Sequence, residues 1–312
     1  MELVDVFVTP FKPESQDGGG FATRCILRGF FIKKFYIRSD VYLVKLLNQV
    51  IGGLIFPFLH PVFTRYFPLG LLRRCNRTGV FNFSQTFAGV LLVQRGVLVC
   101  HDLQCHRSFI FKRWARSSEM FLLNKATEVL VVSKRDETIV RRFYKIPASK
   151  VKNVSYDLCK NIKPFKRDVP CNVSDVLFIG SMDRKENRDA VVWFVDRVLL
   201  KLPNLNFHVV GKINDDMMDK YPYVKWHGFV ENLDEFVKPF QLMVAPMVSR
   251  AGIKIKVIYA LKQGIPVLGT REAYSGLHLK SKKFCTNEVT NWYNVLTQGG
   301  DFEFDLPPKH SC

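Results

Sequence analysis

Three groups of chemically capable side chains stand out in the 312-residue sequence. The first is Cys100-His101-Asp102, with Cys105-His106 close behind. Thiolate and imidazole are zinc ligands, but a structural zinc site takes four of them, in spacings such as C-x2-C with a distant second pair. Here adjacent Cys and His would project from opposite faces of a strand, and the sequence holds no second cluster, so no metal is expected. What remains is His101 with Asp102, directly behind the apolar run Gly96–Cys100. That places a proton-carrying ring and a carboxylate at the C-terminal end of a strand, where ligands gather in open α/β sheets. The second group is Lys254 and Lys256, which open a helical segment read as Lys254–Gln263. A helix N-terminus favours anions, and ammonium groups there add to the attraction. The third is glycine: Gly18-Gly19-Gly20 behind the strand Val4–Val8, and Gly180 behind the strand Val176–Ile179. Backbone N–H groups in such turns can approach a phosphate closely.

The elements that must position these groups alternate between strand and helix. After the first glycines, Phe21–Phe35 reads as a helix, and Val41–Ile55 carries apolar residues at helical spacing. Gly79–Phe83, Gly96–Cys100 and Glu128–Ser133 read as strands, and Lys134–Phe143 as a helix. Residues 152–171 show no clear period and contain Pro164 and Pro170, which marks a linker. Strand Val176–Ile179 then restarts the alternation: helix Asp189–Leu200, strands Phe207–Val210 and Val224–His227, helix Leu233–Lys238, strand Leu242–Ala245, helix Lys254–Gln263 and strand Ile265–Leu268. This pattern predicts an α/β protein of two doubly wound parallel sheets, one in residues 1–160 and one in residues 161–312.

Lys+Arg number 46 against 28 Asp+Glu, a formal charge of +18. The excess is one-sided: 26 against 11 through Phe165, but 20 against 17 beyond it. The N-terminal half therefore faces something anionic, whether nucleic acid, a membrane surface or a phosphorylated small molecule, or simply presents a solvated basic surface. No zinc finger, RNP-type aromatic motif or helix-turn-helix supports nucleic acid, so none is expected as a partner. Leu43–Phe67 combines Leu46, Leu47, Val50, Leu54 and Phe58 with flanking Lys45, Arg65, Arg73, Arg74 and Arg77. That composition suits either a helix lying on an anionic bilayer or an ordinary core helix. No apolar stretch reaches the about 20 residues a spanning helix needs. The eight cysteines are scattered and the N-terminus lacks a signal-peptide pattern, which points to free thiols in a reducing cytoplasm, at the inner face of a membrane where the basic helix applies.

The second half resembles the C-terminal domain of the group 1 glycosyltransferases (family 4). The matching residues are Phe178–Met182, Asn187, Ala190–Phe194, Phe207–Gly211, Gly228–Val230, Val244–Pro246, Ala251–Val257, Ala260-Leu261, Gly264–Thr270 and Ser275–Leu277. The first half resembles the family's acceptor domain through Gly18–Gly20 with Arg24, Val99–Leu103 and Val131–Lys134. The resemblance implies a GT-B fold, two Rossmann-like domains facing across a cleft. The first would take a glycan or lipid-linked acceptor, and the second a nucleotide-sugar donor. It implies a transferase that retains anomeric configuration without a dedicated base, in surface polysaccharide or glycoconjugate synthesis, with no cofactor. His101 and Asp102 would touch the donor sugar or acceptor. Gly19, Gly20, Gly180, Arg184, Lys185, Gly252, Ile253, Lys254 and Lys256 would cradle the donor, with Lys254 on its diphosphate. The family's signature sets two glutamates eight positions apart, where this chain has Ala251 and Tyr259. A subgroup with a Gly-Ile-Lys-x-Lys segment keeps the second to hold the ribose hydroxyls. Tyr259 offers one hydroxyl or a ring face, not a carboxylate accepting two hydrogen bonds. The replacement leaves open a catalytically inactive relative serving as partner subunit or scaffold.

Overall fold

The computed structural model describes residues 2–15, 18–37, 42–66, 77–101, 103–104, 111–155, 159, 162–213, 215–248, 253–275, 277 and 279–305. The chain forms two compact units, Met1–Leu158 and Cys159–Ser311.

In the first unit, β1 (Glu2–Thr9), β2 (Phe30–Ile37), β3 (Thr78–Asn82), β4 (Arg95–Cys100), β5 (Glu128–Val131) and β6 (Val151–Asn153) form one sheet in the order β2-β1-β3-β4-β5-β6. Every pairing is parallel. Parallel sheets are covered on both faces, so their strands read as nearly unbroken apolar runs. Val97, Leu98, Val99 and Cys100 of β4 are accordingly all buried. The helices are α1 (Gly18–Leu27), α2 (Tyr42–Ile55), α3 (Pro61–Thr64), α4 (Lys112–Lys125) and α5 (Lys134–Thr138), the last continuing as a π-helical turn over Ile139–Phe143.

In the second unit, β8 (Asp175–Ile179), β9 (Asn206–Val210), β10 (Lys225–Gly228), β11 (Met243–Ala245) and β12 (Val267–Gly269) form a parallel sheet in the order β10-β9-β8-β11-β12. Its helices are α6 (Lys185–Arg197), α7 (Asp215–Lys220), α8 (Leu233–Phe236), α9 (Ile255–Lys262) and α10 (Val289–Gln298). A separate antiparallel pair joins β7 (Phe165–Val169) to β13 (Gly300–Phe304). In both parallel sheets the strand order reverses once, between β1 and β3 and between β8 and β11. Ligands of open α/β sheets bind beyond the carboxyl ends of the strands at such reversals.

Four expectations differ from the structure. The helix read over Phe21–Phe35 ends at Leu27, and Phe30–Ile37 is a strand paired with β1. The break falls at Arg28-Gly29, where Gly29 N–H bonds to the Ile26 carbonyl, and the aromatic and β-branched residues that follow favour a pleated surface. Gly18–Gly20 is the first turn of α1 rather than a loop: a Cβ on Gly20 would lie 2.2 Å from the Ser15 carbonyl, so the preceding turn folds against the helix start. Within the expected linker, Phe165–Val169 is β7, with Val169 inward and Lys166 outward in the two-residue alternation of a strand. Further, α6 begins at Lys185, four residues ahead of the expected Asp189.

Candidate functional site

At the reversal in the first sheet, β1, β3 and β4 end in a polar network with no charge. His101, one residue past β4, is 8% exposed. Its Nε2 lies 2.8 Å from Asn82 Oδ1 at the end of β3. The Asn82 amide donates in turn to the hydroxyls of Thr9 (3.3 Å), at the end of β1, and Thr23 (3.1 Å), on α1. With the Asn82 amide donating to these hydroxyls, its Oδ1 is the acceptor, so His101 carries its proton on Nε2 and leaves Nδ1 as an acceptor. Burial lowers the His101 pKa to about 3, so the ring is neutral at physiological pH. Phe83 stacks on the ring with centroids 4.0 Å apart and planes 19° apart. Phe83 reaches that position with φ at 72°, a left-handed conformation costly for an aromatic residue. A strained backbone and this hydrogen-bond network thus hold one neutral imidazole at a strand end, with Nδ1 left to accept.

Gly19 and Gly20 lie in the first turn of α1. Arg24 does not project away from that turn: its Nη1 donates to the carbonyls of Pro13 and Ser15 and ties the turn down. Asp102 and Gly252 lie outside the described residues, as do Ala251, Cys105 and His106. Cys100 is a buried free thiol, and no group of three or more His, Cys, Asp or Glu converges among the described residues.

At the reversal in the second sheet the chemistry is opposite in sign. Lys256, in the first turn of α9, extends Nζ to Asn187 Oδ1 at 2.7 Å and over the Phe178 ring at 3.9 Å from its centroid. Asn187 in turn donates to the Ser181 carbonyl at 2.8 Å. Gly180, directly after β8, is required by this packing: a Cβ there would lie 2.7 Å from Asn187 Nδ2 and 2.8 Å from Lys256 Nζ. Gly211 after β9 has φ at 129°, and a Cβ on it would lie 2.5 Å from the Gly180 carbonyl. Burial lowers the Lys256 pKa well below its ordinary value, and the positive charges of Arg184 and Lys254 push it the same way. Lys254, the residue capping α9, is 8% exposed. Ile253, partly buried, precedes it. Lys256 thus stands at the end of β8 with Arg184 and Lys254 within electrostatic reach, partly offset by Glu186, and an incoming anion would relieve the repulsion among the three cations.

Arg184 and Lys185, at the start of α6, are more loosely held. Their exposed side chains meet Glu186 at 3.7 Å and Asp189 at 2.6 Å. Tyr259 lies farther along α9 and donates its hydroxyl to Asp234 Oδ1 at 2.6 Å. Burial and that carboxylate raise its pKa strongly. The structure thus gathers Gly180, Arg184, Lys254 and Lys256 and sets Tyr259 on Asp234. Asn82, Thr9, Thr23 and Asn187 complete the two sites and were not expected as site residues. The signal for Asn82 was a polar residue closing the apolar run of β3.

Residues 173–281 match the family model described as glycosyl transferases, group 1. The second unit is thus similar to that family over most of its parallel sheet. Solved structures extend the likeness to both units at the level of fold. HepE of Anabaena, solved with UDP-glucose, superposes with a TM-score of 0.59 at 12% identity, covering 95% of this chain and 88% of that one. WaaG, a glycosyltransferase involved in lipopolysaccharide biosynthesis, gives 0.54 at 13%, covering 95% and 90%. A mutant TarM of S. aureus, in complex with fondaparinux, α-GlcNAc-glycerol and UDP, gives 0.53 at 15%. That match covers 70% of this chain and 48% of TarM, so the chain spans about half of TarM's length. No curated protein sequence matches the chain significantly. The chain shares the GT-B architecture of these structures, with two Rossmann-like units.

Proposed function

We propose that the chain transfers a sugar from a nucleoside diphosphate donor to a glycan or lipid-linked acceptor. The observation that carries this reading is the convergence of Lys254, Lys256 and Arg184 on the glycine-lined end of β8, at the strand-order reversal of the family-matched sheet. The leaving group of such a reaction is a nucleoside diphosphate, and preorganised cations stabilise the charge that grows on it. Lys254 and Lys256 carry the diphosphate, with Gly180 leaving the room that lets Lys256 Nζ reach the strand end. Ile253 precedes Lys254, and Arg184 and Lys185 guard the rim of the site, where the resemblance also puts Gly252. His101, neutral and fixed through Nε2, presents Nδ1 to a hydroxyl of the sugar or acceptor, with Asp102 beside it in sequence. An imidazole held neutral well below physiological pH suits hydrogen bonding and positioning, which accords with a retaining transfer that uses no dedicated base. No metal or other cofactor enters this scheme.

Calorimetry and a turnover screen with UDP-, GDP- and ADP-sugars test the reading. Binding of one of them, with transfer or slow hydrolysis, is the expected result. Absence of binding to all of them overturns it. Replacement of both signature glutamates by Ala251 and Tyr259 favours a second reading, a catalytically inactive partner subunit. That reading predicts that Lys254→Ala leaves the cellular phenotype intact.

The acceptor side of the proposal places the protein at the inner face of a membrane. Leu43, Leu46, Leu47, Val50 and Leu54 of α2 are exposed, and Phe58, Trp114 and Phe121 continue the apolar surface. Trp114 donates to the Phe58 carbonyl at 2.7 Å, and Phe58 meets Phe121 edge-on at 5.4 Å. Residues 42–66 contain no carboxylate, and the one in 111–125, Glu119, is buried against Gln104 and Tyr144. Exposed Lys112, Arg113 and Arg116 of α4 supply positive charge. An apolar face rimmed by cations without exposed acid suits an anionic lipid surface. No described helix is long and apolar enough to cross a membrane. Sedimentation with phosphatidylglycerol vesicles should carry the protein down. A protein that stays in the supernatant removes this part of the reading.

A further inference from the structure

A row of three titratable side chains, none of them in the cationic cluster, crosses the second sheet. Asp175 stands on β8, His208 on β9 and His227 on β10, three neighbouring strands. His208 Nε2 lies 2.9 Å from Asp175 Oδ1, and His208 Nδ1 lies 2.9 Å from His227 Nε2. The imidazole planes are 6° apart with centroids 5.1 Å apart, so the two rings meet edge to edge. Ser174 and Asn206 also donate to Asp175, at 2.5 Å and 3.1 Å. The bonds from Ser174, His208 and Asn206 hold its carboxyl below the usual carboxylate range.

The proton count along the row follows from these contacts. An ionised carboxylate only accepts, so His208 Nε2 carries a proton. With both rings neutral, His208 Nδ1 accepts from His227 Nε2–H. One further proton leaves both contacts in place: it enters at His227 Nδ1, the Nε2 proton passes to His208 Nδ1, and the charge rests on His208 beside Asp175. A second proton has only His227 Nε2 to occupy. Two like-charged N–H groups would then face each other where one hydrogen bond had been. Burial, His208 and Lys225 lower the His227 pKa, which accords with that resistance.

The row also supports α8. Phe236 of α8 meets the His227 ring at 4.8 Å and 64°, and Phe240 meets the His208 ring at 5.0 Å and 75°. A helix of four residues does not hold itself and depends on what it packs against. The charges that face the row are Asp175 from β8 and Lys225 from β10. Those on α8 are engaged elsewhere: Asp234 with Tyr259 and Gln263 of α9, and Glu235 with Lys238.

We propose that Asp175, His208 and His227 form a proton-operated latch for α8: the row accepts one proton with its contacts intact, and a second proton parts the imidazoles and frees the helix. His227, the exposed member, turns away while His208 stays on Asp175.

NMR of the full chain with labelled histidine, together with hydrogen exchange at the α8 amides, tests the latch between about pH 8 and 4. The pair should titrate in two steps at least about one pH unit apart, as coupled sites do. Across the second step the protection of α8 amides should fall about tenfold, while amides of β8 and β11 keep theirs. His227→Phe keeps a ring beside Phe236 and removes the seat of the second proton. It should leave one step and an α8 protection that no longer changes with pH. Asp175→Asn removes the carboxylate that steadies the first proton and should move the first step down by about one unit. A single step for both rings, or an α8 protection that is constant in the unaltered chain, overturns the latch. So does a fall of the same size in His227→Phe. Opening of α8 only together with β8 and β11 would be acid unfolding of the whole unit, and it overturns the proposal as well.

Discussion

The ends of the two parallel sheets use opposite chemistry at equivalent topological points. In the N-terminal unit, where the chain's positive charge is concentrated, the hydrogen-bonded set at the ends of β1, β3 and β4 is uncharged, formed by Thr9, Thr23, Asn82 and His101. In the C-terminal unit, close to neutral overall, Lys254, Lys256 and Arg184 crowd one strand end and repel one another. Net charge therefore does not reveal where charge acts. Among the described residues of the first unit, exposed cations stand on α4 and on the turns that follow α5, whereas the few cations that matter for an anion sit in a nearly neutral unit. A satisfied network resists change because every member depends on the others. A frustrated cationic cluster gives up stability in the free protein that an anion restores on binding.

If that contrast is right, the largest stability effect should come from the neutral side. Asn82→Leu removes the hub of the network and strands the buried His101 Nε2–H, and it leaves the hydroxyls of Thr9 and Thr23 without the Asn82 donor. Each buried polar group left without its partner costs about 1–3 kcal/mol, so a loss of about 3 kcal/mol is expected in urea unfolding. A loss under about 1 kcal/mol would mean that the network closes by other means and the contrast is overdrawn.

Lys256→Met should show the reverse pattern. Methionine keeps the apolar stem over Phe178, and removing the ammonium relieves repulsion from Arg184 and Lys254. Stability should stay within about 1 kcal/mol, since the lost bond to Asn187 and the relieved repulsion offset each other. Affinity for the donor's nucleoside diphosphate should fall about 30-fold, the loss of one charge-assisted hydrogen bond. Unchanged affinity in a calorimetric titration would remove Lys256 from the anion site.

Acid should separate the two sides by a smaller amount. The folded His101 pKa is lowered to about 3, whereas its ordinary value is 6.5. Below pH 6.5 the unfolded chain takes up a proton that the folded chain refuses, so this contribution is present above 6.5 and erodes as pH falls toward 3. His60 and His227 are also lowered by burial and add in the same direction. His101→Gln retains a donor to Asn82 and should flatten the decline between pH 7.5 and 5.5 by about 1 kcal/mol. Equal slopes in the two proteins would show that His101 is protonated when folded.

What could be read from the sequence follows the same division. The second unit was legible because its strands are continuous apolar runs closed by glycine and its lysines fall at a helix start. Gly180, Lys254 and Lys256 all announce themselves within a few residues of an element boundary. The first unit was harder to read. Phe30–Phe35 reads as the end of a helix because paired lysines interrupt its apolar residues, and pairing with β1, which no local spacing reveals, makes Phe30–Ile37 a strand. The network around His101 draws one member each from β1, α1, β3 and the residue after β4, so no local spacing reveals it. Nor does spacing reveal that Tyr259 meets Asp234, twenty-five positions away. β7 was hidden because its partner, β13, is more than a hundred residues later.

The smallest effect sharpens the cationic side. Lys185 belongs to the expected donor site by resemblance, but its side chain is largely exposed and paired with Asp189 at 2.6 Å, one helical turn along α6. An exposed pair of this spacing contributes about 0.3–0.5 kcal/mol, and the charge it could lend an anion is screened by water and salt. Lys185→Ala should therefore lower donor affinity by no more than about threefold, with the difference vanishing near 1 M salt, where the screening length is about 3 Å. A loss as large as that expected for Lys256→Met, and persistent in high salt, would show that Lys185 leaves Asp189 and closes directly on the ligand. The start of α6 would then be a moving part of the site, while the pairing of Lys256 with Asn187 holds the opposite side still.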